Sequence, residues 1–249
     1  MSAEIGFVLR LNKLKEADAI VSIYGPEGIR EVYAHSVFTA KSTRRAKLEI
    51  LNLIKYNTTK SKAQLPNLAE VSLISDFKTI KSIASGYAEC FILAEILQKF
   101  LTQVEEPEHL LFEQLADISQ LGDLREISIV SGITQDDSLA KKLLVYITIV
   151  LLDELGFLPE LNICQLTQQK FAETDLIAPA ITQPGYVVSQ SGSRDLIRQI
   201  KVQEFIRRQK NVVQFLHIDI SQQLLVGLLK TQIDWIEITL GQKLKSNAY

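Results

Sequence analysis

Apolar and polar residues alternate from the start of the chain. In EIGFVLRL, residues 4–11, Ile5, Phe7, Leu9 and Leu11 share one face of an extended strand. ADAIVSIY is a second apolar, β-branched run, and GPEG at 25–28 supplies Pro26 and Gly28 for a chain reversal. IREVYAHS follows as the hairpin partner, and LEILNLIKY and LAEVSLIS read as two further buried strands. Five short strands within about 75 residues suit a small closed barrel of the OB-fold type, in which no sheet edge is left exposed.

Near residue 79 the period of the pattern changes. TIKSIASGYAECFILAEILQKFL places Ile80, Ile83, Ala84, Tyr87, Phe91, Ala94 and Leu97 on one helical stripe. EHLLFEQLADISQL follows Pro107, and DLREISIVSGITQDDS interrupts the helical pattern with Gly and Asp. SLAKKLLVYITIVLLDEL is a strongly apolar helix, capped by Ser138 and closed by Gly156. Residues 157–192 carry Pro159, Pro179, Pro184, Gly185 and Gly192 and read as irregular. SRDLIRQIKVQEFIRRQ and SQQLLVGLLKTQIDWIEITL are further helices, the second with Ser221 as N-cap. The expected architecture is α+β and multidomain: an N-terminal OB-fold barrel over 1–78, then an all-α helical bundle over 79–249 with an irregular insertion at 157–192.

Composition narrows the class. With 249 residues, 47% hydrophobic and 22% charged, the chain is globular and long enough to bury a sizeable core. The longest apolar run, LLVYITIVLLDELGFL, is cut by Asp153 and Glu154 short of the roughly 18 residues a membrane span needs. Cys90 and Cys164 form no disulfide framework, and the N-terminus lacks a charged-then-apolar leader pattern. A cytoplasmic, nucleoid-associated protein without membrane contact is the expectation. No phosphate-cradling glycine loop or nucleophile elbow occurs. His35, His109 and His217 stand far apart, and the acidic pairs 136–137 and 153–154 sit beside helix ends. A binding protein is therefore expected rather than an enzyme, with no cofactor and no metal.

Charge is what points to a partner. The net charge of −2 conceals +5 over residues 1–82 and −7 over the remainder. The basic excess concentrates in VFTAKSTRRAK, residues 37–47, where Lys41, Arg44, Arg45 and Lys47 fall between two strands. Lys55, Lys60 and Lys62 extend it, against one acid, Glu49. Cations in a loop between barrel strands neutralise phosphates and release counterions. Tyr24, Tyr33, Phe38 and Tyr56 lie near enough in sequence to offer stacking faces, though strand aromatics mostly fill barrels. A second basic surface, Arg194, Arg198, Lys201 and Arg208, lies beside Ile197, Ile200 and Ile206. It reads either as a groove for an acidic, hydrophobic peptide tail or as an amphipathic helix with a basic polar face.

The order of these pieces resembles the RecO family of bacterial recombination mediators. EIGFVLRLNKLKEADAIVSIYGPEGIREVYAHSVFTAKSTRR is similar to the family's opening, and LPNLAEVSLISDF to its last barrel strand. ASGYAECFILAEIL looks like its first helix, LLDELGFLPELNIC like the helix end leading into its zinc module, and ITLGQKLKS like its closing segment. The resemblance implies a DNA repair and homologous recombination accessory protein that binds single- and double-stranded DNA and anneals complementary strands. Its implied partners are RecR and the C-terminal tail of the single-strand-binding protein, whose DNA complex it helps the recombinase to replace. The implied DNA-binding residues are Arg30, Lys41, Arg44, Arg45 and Lys47, and the partner-peptide residues Arg194, Arg198 and Lys201.

The chain departs from the family at the zinc module. Many members carry two Cys-x-x-Cys pairs; the matching positions here are Cys164 with Thr167 and Ser189 with Gly192. One sulfur of four remains, so no zinc is expected. The missing metal, worth on the order of 10 kcal/mol in such modules, must be offset by packing. Phe157, Ile163, Phe171, Ile177 and Tyr186 are the expected replacement core, with Cys90 and Cys164 as small buried apolar residues. The rival reading of the whole chain is a protein-interaction scaffold whose barrel docks partners and binds DNA only weakly.

Overall fold

A computed structural model describes residues 3–61, 64–81, 86–103, 109–120 and 138–245. The chain divides into two compact units between residues 130 and 131.

In the first unit, strands β1 (Glu4–Leu14), β2 (Asp18–Gly25), β3 (Gly28–Ala34), β4 (Leu53–Thr59) and β5 (Asn67–Ser75) close into a barrel of order β1-β2-β3-β5-β4. All neighbours are antiparallel except β3 and β5, which run parallel and meet at a single pair, Tyr33 with Asn67. This is an OB-fold-like barrel. The β2–β3 reversal is the predicted one: Gly25 pairs with Gly28, whose φ of 105° suits glycine. Val8, Val21, Ile23, Val32, Ile54 and Leu68 fill the interior.

The interior set of β1 differs from simple alternation. Val8 and Leu11 line the barrel core, while Phe7 packs against Phe77 and Phe112 and Ile5 is exposed. A bulge between Val8 and Arg10 slips the two-residue period by one, and helices cover part of the barrel's outer surface. LEILNLIKY also differs: only Leu53 onward is strand, and Leu48 and Leu51 are buried in the turn before it, Leu51 at φ 57°. A short helix, α1 (Arg44–Lys47), lies inside the basic segment expected to be a loop.

After the barrel come α2 (Lys78–Lys81), α3 (Gly86–Leu101) and α4 (His109–Gln120), all within the first unit. The single stripe expected from residue 79 does not hold. Ile80, Ala94 and Leu97 are buried, but Tyr87 and Phe91 are 45% and 51% exposed, and Ile83 and Ala84 lie outside the described residues. The helical phase restarts at Gly86, where a Cβ would stand 1.7 Å from the carbonyl oxygen of Ile80, so only glycine fits the approach. The segment 123–137 also falls outside the described residues.

The second unit is helical with a short sheet. Its central helix α5 (Ser138–Glu154) is buried on nearly every side from Leu139 to Leu152, as a helix apolar all round must be. α6 (Leu196–Gln209), α7 (Val212–Leu216) and α8 (Gln222–Leu240) surround it. Ser221 caps α8 by accepting from the Leu224 amide at 3.4 Å, and Gly241 ends it at φ 64°. The 157–192 segment is more ordered than its sequence suggests. It contains a two-stranded sheet, β6 (Ile177–Pro179) and β7 (Tyr186–Val188), packed through Leu161, Ile177 and Tyr186 onto Ile200 and Trp235. Of the expected replacement core, Ile177 and Tyr186 are fully buried and Phe171 packs against them. Ile163 is half-buried, and Phe157 is exposed. Among the described residues, no helix is long and apolar enough to cross a membrane.

Candidate nucleic-acid interface

The basic segment is built around α1. Four residues make barely one turn, so Arg44 and Lys47, three apart, share a side and Arg45 points elsewhere. On the first side, the Arg44 guanidinium donates to the carbonyls of Ala69 at 2.7 Å and Leu68 at 3.4 Å. The Lys47 ammonium donates to the carbonyl of Val71 at 3.0 Å. These are β5 carbonyls near the seam where β3 and β5 barely pair. Two cationic side chains thus satisfy an edge that a neighbouring strand would otherwise cover.

Arg44 and Lys47 also line an open cleft of about 520 Å³ with Thr43, Lys55, Asn57, Glu70 and Ser72. Among the described residues Glu70 is its single acid, and it accepts from the Asn57 side chain. On α1's other side, the Arg45 guanidinium lies 5.6 Å and the Lys13 ammonium 5.7 Å from the ring centroid of half-buried Phe38. Lys41 is exposed in the turn leading to α1.

Carbonyls are neutral, so the cations keep their charge. Among the described residues, none of Lys13, Lys41, Arg44, Arg45, Lys47 and Lys55 has a carboxylate partner. Arg30 stands apart. On β3 it pairs with Glu4 at 2.6 Å and Glu27 at 3.5 Å, and Glu4 also accepts from the Tyr56 hydroxyl. Lys41, Arg44, Arg45, Lys47 and Lys55 thus gather about α1, while Arg30 is neutralised on a neighbouring strand.

Of the possible stacking aromatics, Tyr24 and Tyr56 are buried. Tyr33 is half-buried, with its hydroxyl donating to Asp18 and its ring touching His35 at 4.6 Å between centroids. Phe38 packs beside Arg45 and Lys13, and buried Tyr56 lines the cleft with Arg44, Lys47 and Lys55.

Buried groups behind α1 hold it in place. The Asn52 amide group donates to the carbonyls of Ala46 at 3.0 Å and Lys47 at 3.1 Å, capping the helix. Its oxygen accepts from the Lys81 ammonium at 2.6 Å. Burial holds the Lys81 ammonium below the ordinary lysine range. Neither Asn52 nor Lys81 is signalled by the sequence, because they stand 29 positions apart at no diagnostic spacing.

In the second unit, Arg194 precedes α6, and Arg198 and Lys201 lie on its exposed side. Arg208 pairs with Glu204 at 3.1 Å. Ile200 and Ile206 are buried and Ile197 packs on the same core, so these isoleucines belong to the interior.

Cys164, Thr167, Ser189 and Gly192 do not make a thiolate site. Cys164 is buried and its sulfur accepts from the Val188 amide at 3.5 Å. Burial raises the thiol, but hydrogen bonds from Thr167, Val188 and Leu166 outweigh it and bring it to about 7. The Ser189 hydroxyl bonds to that of Ser191, and a side chain on Gly192 would meet the Ile177 backbone at 2.6 Å. One hydrogen-bonded sulfur, two hydroxyls and a glycine are the wrong donors for tetrahedral zinc. Among the described residues no group of three or more His, Cys, Asp or Glu side chains gathers as metal ligands.

No protein-family model matches the chain, and a search of characterised proteins finds no relative.

Proposed function

We propose that the chain is a non-enzymatic nucleic-acid-binding protein serving DNA repair and homologous recombination. In this reading the barrel binds single- and double-stranded DNA and promotes annealing of complementary strands. RecR and the tail of the single-strand-binding protein are the proposed partners, by the resemblance of the ordered sequence pieces to the RecO family. The observation that carries the reading is the set of cations around α1 that face solvent and β5 carbonyls without a carboxylate partner. Such cations on both sides of a short helix screen phosphate repulsion, and an aromatic ring among them offers a base a stacking partner.

Fluorescence anisotropy of labelled single-stranded and duplex oligonucleotides at two salt concentrations tests this. The Lys41→Ala/Arg45→Ala/Lys55→Ala variant changes side chains that make no ion pair among the described residues. It should weaken binding and reduce the slope of log K against log salt by about one for each phosphate no longer neutralised. Equal affinity and slope in the variant and wild type sink the assignment of the interface. A scaffold whose barrel docks partners and binds DNA only weakly is the second reading, favoured by Ile5, Leu73 and Ile74, which are 42%, 43% and 44% exposed on the barrel strands. Absence of oligonucleotide binding at low salt would leave that reading standing.

A further inference from the structure

The loop joining β3 to α1 carries Phe38 and Lys41, yet it has no strand or helix to fix its course. A continuous run of hydrogen bonds does so instead, and it starts at Asp18 on β2. One Asp18 carboxylate oxygen accepts from the Ser36 amide at 2.8 Å, and the other from the Tyr33 hydroxyl. The Ser36 carbonyl then accepts from the Thr39 hydroxyl at 3.0 Å, and the Thr39 carbonyl from the Ser42 amide at 3.0 Å. The Ser42 hydroxyl accepts from the Arg44 amide at 3.3 Å, which opens α1. Alongside, the Phe38 amide donates to the Ala17 carbonyl at 2.9 Å, so the loop is stitched once to the start of β2 and once to the β1–β2 turn. Ser36 itself sits at φ 55°, a left-handed conformation that costs a non-glycine residue energy and persists only where its surroundings hold it.

We propose that Asp18 is a positioning residue for the nucleic-acid interface, fixing the loop that sets Phe38, Lys41 and the start of α1 in place. The inference rests on the nucleic-acid reading above. It assigns a function to an acid, which by charge alone works against a polyanion. Lys15 and His35 also face this carboxylate, His35 with its Nδ1 at 3.6 Å. Neither replaces the two hydrogen bonds that tie it to the loop.

Charge and position make opposite demands here, and the test uses that opposition. Asp18→Ala removes a negative charge together with the anchor. Asp18→Asn removes the charge but keeps an acceptor for the Ser36 amide. Both are compared with the wild-type chain, using a labelled oligothymidylate of about 20 nucleotides. Amide hydrogen exchange is followed at Ser36, Phe38 and Ser42. If Asp18 positions the loop, Asp18→Ala binds about fivefold more weakly despite its added positive charge, and the three amides exchange faster. Asp18→Asn then restores binding to the wild-type level or better. Should Asp18→Ala fold poorly, Tyr33→Phe removes one of the two bonds and should speed exchange at Ser36 alone. Tighter binding in both Asp18 variants, or unaltered exchange in Asp18→Ala, overturns the proposal. If the wild-type chain itself does not bind the oligonucleotide, the nucleic-acid reading fails, and the proposed role at an interface fails with it. Faster exchange in Asp18→Ala would then define a loop anchor only.

Discussion

Asn52 is almost completely buried and spends its hydrogen-bonding groups on three partners: two helix-end carbonyls and one lysine. Asn52→Leu would remove the hydrogen-bond acceptor of the buried Lys81 ammonium and orphan both carbonyls. A loss of about 3 kcal/mol is expected, read as a lower urea midpoint for the first unit. Lys81→Met at the same time as Asn52→Leu should recover part of that loss, since removing both partners is cheaper than removing one. Cys164 makes a different prediction. Its thiol lies at about 7 against an ordinary value of 9.0, so the folded state holds the thiolate more readily than the unfolded chain does. The unfolded chain therefore binds the extra proton between those values, and the second unit should gain stability as pH rises from about 7 to about 9. The gain is complete above 9 and disappears below 7. Urea midpoints at either end of that window should differ in the wild type and converge in Cys164→Ser.

At the scale of elements, α1 divides stability from binding. Arg44 and Lys47 close β5's edge, so Arg44→Ala/Lys47→Ala should cost about 1 kcal/mol for each side chain removed. Lys41→Ala and Arg45→Ala, whose side chains bond to no backbone carbonyl among the described residues, should stay within about 0.5 kcal/mol of wild type. Chemical denaturation of the four variants separates the two pairs. The barrel is legible in the sequence because β-branched runs with a two-residue period, broken by GPEG, have few other solutions. α1 is not: four residues with a single small apolar member, Ala46, carry no periodicity. Leu48 to Asn52 reads as strand because a buried turn and a buried strand both need leucines. The basic cluster is legible as composition, but its division between the two sides of α1 is not. That division depends on helix geometry in a segment that reads as loop. Arg30 loses its freedom to Glu4, a residue 26 positions away, which no local spacing could reveal.

For the whole molecule, the uneven charge makes residues 1–82, the barrel with its basic segment, the attractive part for a polyanion, because the surplus of acids lies in residues 83–249. Arg194, Arg198 and Lys201 form a second basic patch, on and just before α6 of the second unit. Replacing all three by alanine should leave oligonucleotide affinity within about twofold of wild type in the same anisotropy titration. A decrease as large as that of the Lys41/Arg45/Lys55 variant would place the second unit on the nucleic-acid path as well. The barrel's own closure has a further consequence. Its strands are laddered over several residue pairs at four of the five junctions, but at the fifth one backbone pair and two long cationic side chains complete the ring. A ring joined that way has a clasp, and under mechanical load it would part there before any full ladder sheared.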